Sequence, residues 1–246
     1  MFYMLKDGLN SKPNFESSVL ILPAISVGNV GQLACDLIIS TLQLQKIGYF
    51  CPECFLPLVG SNPFSTANDQ KLSLTSEVFH SAEHNITVLQ FRSPLVKGKR
   101  KEFCEKLTTW AKVEKFSQLI ILSSCHAFER KDNEITGSPF RCLISPTFKN
   151  LPTQLNWGVF DKKENEELFI PGGGFTKDLY KVCCDSELAV IVLLTYCSEG
   201  DNIPDAMLVL DQLNKWKEFC KNENTNWITP ISLSHMFGNP VPTGIF

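Results

Sequence analysis

The chain has 246 residues, 43% hydrophobic and 20% charged, with 14 Gly and 14 Pro. That composition allows a sizeable core and excludes a disordered, collagenous or low-complexity polymer. Lys and Arg number 23 against 26 Asp and Glu, a formal net charge of -3, so a basic nucleic-acid-binding surface is not expected.

No stretch approaches the roughly 20 apolar residues of a membrane-spanning helix. The longest apolar runs cover residues 19–25, interrupted by Pro23, and residues 188–194. The first residues lack a basic start followed by a long apolar stretch, so no secretory signal is expected. Ten cysteines are scattered among apolar neighbours, which fits reduced, structural thiols better than a disulfide framework. In a reducing setting the sequon Asn85-Ile86-Thr87 is simply a strand edge.

Taken in chain order, residues 19–23 read as a short buried strand. The Gly-bearing turn Gly28-Asn29-Val30-Gly31 follows, then Val30, Leu33, Ala34, Leu37, Ile38, Thr41 and Leu42 at helical spacing. Residues 46–50 and 54–59 read as two short strands, and residues 61–70 as a polar loop. Residues 72–80 and 86–91 read as strands around a turn near His84. Phe103, Leu107, Trp110 and Ala111 mark a helix, residues 118–123 a buried strand, and residues 140–145 a further short strand. Residues 149–167 form a polar connection. Thr176 is placed to cap a helix running to about Val182. Residues 188–196 form the most apolar strand, and Pro204 opens a long helix carrying Ala206, Val209, Leu210, Leu213, Trp216 and Cys220.

This alternation predicts a three-layer α/β sandwich, with a central, mostly buried sheet and helices on both faces. Residues 1–222 are expected to form a single domain. Residues 223–246 are expected to form a C-terminal tail, free to extend or to anchor on its own domain through Trp227, Ile231, Leu233 and Phe237.

Several residue groups carry chemistry elsewhere, and each meets a simpler structural account here. Gly28-Asn29-Val30-Gly31 and Pro171-Gly172-Gly173-Gly174 lie where phosphates bind helix termini or backbone nests. The first matches neither the dinucleotide fingerprint nor the P-loop, and a tight turn with close helix packing accounts for it; a flexible strand-to-helix turn using glycine's freedom accounts for the second. Cys51-Pro52-Glu53-Cys54 has the spacing of a redox or zinc pair, but further zinc ligands at suitable spacing are missing. Ser123-Ser124-Cys125-His126 follows a strand, yet sequence neighbours do not normally face each other as nucleophile and base, and there is no Gly-x-Ser-x-Gly elbow. His80, His84 and His235 lack metal-ligand spacing. The basic run Lys97-Gly98-Lys99-Arg100-Lys101 reads as a solvated loop before a helix. No catalytic set assembles, no cofactor or metal is expected, and a binding role is favoured over an enzyme.

Three stretches then carry a resemblance: Leu22-Pro23-Ala24-Ile25-Ser26-Val27-Gly28-Asn29-Val30-Gly31-Gln32-Leu33, Ile170-Pro171-Gly172-Gly173-Gly174, and Ser198-Glu199-Gly200-Asp201-Asn202-Ile203-Pro204-Asp205-Ala206. In this order and at these separations the chain resembles the proteasome assembly chaperone 2 family from about Val19 to Cys220. The resemblance implies a cytoplasmic and nuclear chaperone without catalysis, with a nucleoside-phosphorylase-like fold. It implies a heterodimer with proteasome assembly chaperone 1 that binds proteasome α-subunits and promotes formation of the 20S α-ring, with neither nucleic acid nor membrane as a partner. The 18 Phe fit a chain that buries a large interface. Some relatives end in hydrophobic-Tyr-any residue, which plugs a pocket between α-subunits. This chain ends Gly244-Ile245-Phe246, with Ile where Tyr would stand, and these residues are the expected partner-binding site. The alternative is a small-molecule enzyme on the same scaffold, using the glycine turns for phosphate.

Overall fold

The computed structural model describes residues 2–4, 12–65, 71–149, 155–160, 168–220 and 225–234. In chain order its elements are β1 (Phe2–Met4), β2 (Val19–Pro23), α1 (Val30–Thr41), β3 (Gln45–Phe50), β4 (Val59–Ser61), β5 (Leu72–Leu74), β6 (Ser76–Ser81), β7 (Ile86–Phe91), α2 (Arg100–Val113), β8 (Gln118–His126), β9 (Phe140–Ile144), α3 (Thr176–Asp185), β10 (Val190–Cys197) and α4 (Ile203–Lys217). Among the described residues the main sheet has eight strands in the order β1-β3-β6-β7-β2-β8-β10-β9, while β4 and β5 pair as a separate ribbon. Strands β7, β2, β8 and β10 run parallel, with Leu20 opposite both Thr87 and Leu119, and Ile191 opposite Ile120. The flanking pairs β10/β9, β6/β7, β3/β6 and β1/β3 are antiparallel.

Two helical layers follow from the two-residue period of the parallel strands, whose side chains alternate between faces. Leu20, Leu22, Leu119, Ile121, Val192 and Leu194 share one core with Phe103, Leu107 and Trp110 of α2 and with Leu179 and Cys183 of α3. Ile21, Ile120, Leu122, Ile191 and Leu193 face the other way, onto Val30, Leu37 and Ile38 of α1 and Val209, Leu210 and Leu213 of α4. Parallel strands need helical crossovers, and covering both faces accounts for the continuous apolar runs of β2, β8 and β10. Among the described residues no helix is long and apolar enough to cross a membrane.

Much of the aromatic content is core. Phe103 meets Phe50, Phe55, Phe91 and Phe175 edge-on, and Trp110 sits among Phe2, Phe15, Phe50 and Phe116. Phenylalanine abundance is therefore not in itself a sign of interface.

Several local expectations are corrected. Of the expected strand over residues 54–59, Cys54 closes a 3-10 turn over residues 52–54 entered through a left-handed Cys51, Phe55 is extended and makes a single bridge to Leu95, and the next strand, β4, begins only at Val59. Pro57 removes a ladder donor from this segment, while Phe55 is drawn into the core. The expected strand over residues 72–80 is broken at Thr75. Buried Glu77 accepts hydrogen bonds from the Leu74 N–H (3.2 Å) and Ser73 Oγ (2.8 Å), a local competitor to the ladder. Helix α3 begins at Thr176 with Phe175 as its cap and continues to Asp185, because the Thr176 hydroxyl is engaged elsewhere. The N-terminal strand β1 carries no sequence signal beyond three apolar residues. Residues 225–234 lie along α1 and α4: Trp227 is buried and its Nε1 donates to Asp211 Oδ1 at 2.8 Å, and the Ile228 N–H donates to Thr41 Oγ1 at 2.9 Å. Ile231 is exposed, Leu233 is half-buried, and Phe237 lies outside the described residues.

Candidate functional site

The parallel strands β7, β2, β8 and β10 end at one edge of the sheet, where an open α/β fold ordinarily places its site. The three stretches that carried the resemblance meet there. The Ala24 N–H donates to Leu122 O (2.8 Å), the Val27 N–H to Gly172 O (2.8 Å) and the His126 N–H to Pro171 O (3.2 Å). Ser26 Oγ and Ser124 Oγ are 2.7 Å apart, Ser124 Oγ donates to Val27 O, and Ser123 Oγ lies 2.7 Å from Thr176 Oγ1, which donates to Gly173 O. The third stretch enters through Asn202, whose Nδ2 donates to Ser198 O (2.7 Å) and Asp205 Oδ2 (2.8 Å).

The glycine turns serve this packing. Gly28 has a left-handed φ of 65°, and a Cβ there would stand 2.6 Å from Asn202 Oδ1. Gly174, at φ +60°, would put a Cβ 2.0 Å from Ile25 O. The side-chain side of both turns is occupied, by the Asn202 amide at Gly28 and by the His126 ring at Gly172, which lies 2.9 Å from an added Cβ. Asn202 Oδ1 itself is buried and accepts no hydrogen bond among the described residues, a cost borne where the two stretches lock.

The other candidates occupy structural positions. Ser123 and Ser124 spend their hydroxyls on the turns, and Cys125 is buried in the α2/α3 core, its thiol pushed up to about 12 by burial. The His126 ring stacks on Phe128 at 4.9 Å. Burial raises the Cys51 thiol to about 11 and the Cys54 thiol above its ordinary value, so neither is a ready nucleophile. The basic run before α2 is met by acids: Lys99 pairs with Glu102 (2.6 Å), Arg100 with Asp178 (2.9 Å) and Lys101 with Glu105 (3.8 Å). His80 is buried between Thr87 Oγ1 (3.0 Å) and the Phe15 ring, and Asn85 of the sequon sits in the β6–β7 turn. Among the described residues no cluster of His, Cys, Asp and Glu is placed to hold a metal ion. The expected partner-binding residues Gly244, Ile245 and Phe246, like His235, lie outside the described residues.

Two charged nodes at this edge were missed in the sequence. Arg92, just past β7, makes a bidentate pair with Asp36 of α1 (2.6 and 2.7 Å), and Gln90 Nε2 donates to the same carboxylate at 2.7 Å. Burial works against the Arg92 guanidinium, and the Asp36 charge and hydrogen bonds more than offset it. Beyond β8, Glu134 accepts from Arg141 Nε (3.3 Å) and from the Lys131 N–H (3.1 Å), and both Arg130 and Arg141 lie 5.7 Å from the Tyr196 ring centroid. Partial burial pulls the Glu134 carboxyl up, but these donors hold it below its ordinary range, while burial beside Glu134 pushes the Tyr196 phenol up to about 12. The partners lie far apart in sequence or in irregular loops, where periodicity has nothing to report.

Residues 20–219 match the PAC2 family model. The chain is 44% identical to a Xenopus laevis protein named proteasome assembly chaperone 2, over 97% of this chain and 98% of that one. It is 40% identical to the Homo sapiens protein of the same name, over 96% and 97%. Among solved structures, Pyrococcus furiosus PbaA, an archaeal homolog of proteasome-assembly chaperone, superposes with a TM-score of 0.64 at 18% identity, covering 82% of each chain. Pyrococcus furiosus PbaB, an archaeal proteasome activator, gives 0.58 at 15%, covering 87% of this chain and 88% of that one. These two show the shared fold: a large mixed sheet flanked by helices. With a family model spanning most of its length and curated relatives at this identity over nearly all of it, the chain belongs to the PAC2 family.

Proposed function

We propose that this chain is a proteasome assembly chaperone that pairs with proteasome assembly chaperone 1, binds proteasome α-subunits and promotes assembly of the 20S α-ring in the cytoplasm and nucleus. The observation that carries this reading is the near full-length likeness to proteins named proteasome assembly chaperone 2. The glycine turns are packed against Asn202 and His126 on their side-chain side, which fits glycines kept for close packing. The nucleoside-phosphorylase-like label belongs to this reading at the level of layer order only. So does the division into a domain over residues 1–222 and a tail over residues 223–246.

Within this reading the ending Gly244-Ile245-Phe246 docks in a pocket of the α-ring. Burying each large side chain supplies roughly 1.5–3 kcal/mol before ordering costs. The test is co-expression with proteasome assembly chaperone 1, followed by capture of α-subunits with and without residues 244–246. The expected result is co-purification of the pair and weaker α-ring binding by the truncated chain, with the pair intact. Unchanged α-ring affinity excludes the docking tail. Stabilisation by a nucleoside or phosphate in a thermal-shift assay, with no α-subunit capture, would favour the enzyme reading.

A further inference from the structure

A cavity of about 1070 Å³ is lined by the C-terminal end of α1, by β3 and β6 of the main sheet and by β5 of the small ribbon. Its apolar wall is Ile39, Leu44, Phe64, Leu74, Phe79 and Ile228. Its charged groups already serve one another. Lys46 Nζ donates to Leu72 O at 2.9 Å and to Glu77 Oε1 at 3.0 Å, and Glu77 also accepts from Ser73 Oγ. None of the buried polar atoms that lack a partner among the described residues belongs to this lining. No group in the wall therefore calls for an ion. What the space lacks is apolar volume, so the occupant it favours is hydrocarbon or aromatic.

The C-terminal segment leads to this cavity. After buried Trp227 it places Ile228 in the cavity wall and then turns over Ile231–Leu233. The Ser232 N–H donates to Pro63 O at 3.3 Å, between Asn62 and Phe64, which both line the cavity. The described part of the segment ends two residues on, at Ser234, and the sequence continues His235-Met236-Phe237-Gly238-Asn239-Pro240. Five residues span up to about 17 Å, so a chain held at Ser232 can deliver Met236 and Phe237 to the cavity. Gly238-Asn239-Pro240 then supplies a turn by which the chain leaves again. The other stretch beside the cavity that lies outside the described residues, 66–70, reads Thr-Ala-Asn-Asp-Gln and has no large apolar side chain to offer.

We propose that Met236 and Phe237 fill this cavity and root the C-terminal arm on its own domain. The arm that remains, residues 238–246, reaches about 30 Å at full extension and is stiffened by Pro240 and Pro242. A shorter, rooted arm samples less space than one that starts at Ser234, so it presents its end at a higher local concentration. That consequence for a docking Gly244-Ile245-Phe246 rests on the function proposed above. The anchor itself does not, and it is tested on this chain without α-subunits.

The test places a photo-crosslinking phenylalanine analogue at position 237 of the full chain, alone and co-purified with proteasome assembly chaperone 1. It should label the same molecule at residues 39–49, 62–64, 71–79 or 228, with a yield that does not change with protein concentration. Phe237→Asp should lower the melting temperature of the full chain by about 3 °C or more. Phe237→Leu, which keeps apolar volume in the cavity, should recover most of that loss, and Ile245→Asp should cause none. Labelling of a second copy, with a yield that rises with concentration, overturns the inference. So does labelling of the partner chaperone, or of no residue in the wall. Melting of Phe237→Asp within 1 °C of the wild type overturns it as well. Wall labelling in a chain that captures no α-subunits keeps the anchor and removes the proposed function. Capture of α-subunits by a chain whose position 237 labels outside the wall keeps the function and removes the anchor.

Discussion

The two ends of the central sheet are built on different terms. At the amino ends of the parallel strands the chain closes on itself: the Ser17 N–H donates to Lys115 O, Val19 N–H to Asn85 O, Ser117 N–H to Ser18 O and Leu119 N–H to Ala189 O, all at 2.9–3.0 Å. Ion pairs such as Lys115–Glu16 finish the surface. At the carboxyl ends the same strands feed turns whose glycines admit close backbone approach, and the rim beyond them leaves large apolar side chains in solvent. One end is closed by main-chain hydrogen bonds, with Val113 at the end of α2 left exposed beside it. The other is closely packed inside and leaves Phe128, Phe169, Val159 and Ile135 exposed outside.

The largest expected effect tests the rigidity of the carboxyl end. Asp36→Ala leaves the largely buried Arg92 without its bidentate partner and should cost about 3 kcal/mol in denaturant unfolding; a loss under 1 kcal/mol would mean that the node is solvated and holds little. Next comes Gly31→Ala. Its new Cβ would lie 2.3 Å from the backbone Leu122 O, so β8 must move, at roughly 2 kcal/mol. Full stability in this variant would show that helix α1 rides loosely on β8.

At the amino end the expected costs are smaller. Ser18→Ala removes a buried hydroxyl that donates to Asn85 O at 3.0 Å, and should cost about 1 kcal/mol by thermal or chemical melting. The pH dependence is weaker still. Burial lowers the His80 pKa in the folded state below its ordinary value, so folding keeps the ring neutral. The unfolded chain takes up a proton first, and stability present above about pH 6.5 is lost as pH falls through that value towards the folded pKa. His80→Gln should flatten the stability profile below about pH 6.5; an unchanged profile would assign the slope to other groups. The smallest effect belongs to the rim. Phe128→Ser on the isolated chain should shift its melting by no more than experimental scatter, because the side chain has little packing to lose.

What could be read from the sequence divides along the same line. Buried strands β2, β8 and β10 and helices α1 and α4 announce themselves through apolar runs and helical spacing, because burial on both sides of a sheet leaves no choice of residue. The turns were visible as glycine motifs, but whether they cradle an anion or admit a neighbour depends on what fills the space before them. Asn202 and His126 approach from distant stretches. The break at Thr75 was hidden because Glu77 captures the backbone only once Ser73 and Lys46 have surrounded its carboxylate. Exposure of Phe128 and burial of Phe103 cannot be told apart by residue type. Only the loop after β8 and the inward face of α2 separate them.

The position of β2 also bears on the order of synthesis. Its two neighbours are β7 and β8, so Val19 pairs with Ile86 on one side and Gln118 on the other. A nascent chain on the ribosome therefore carries one of its most apolar segments with no ladder partner until β7 emerges, and with one open edge until β8 follows. Helix α1 can form on its own schedule, but it has no sheet to cover in that interval. Non-local parallel pairing of this kind is slow and leaves strand edges available to other chains. A protein cast as a helper of assembly would thus itself pass through a vulnerable stage during translation, one that ends only when roughly its first half has left the exit tunnel.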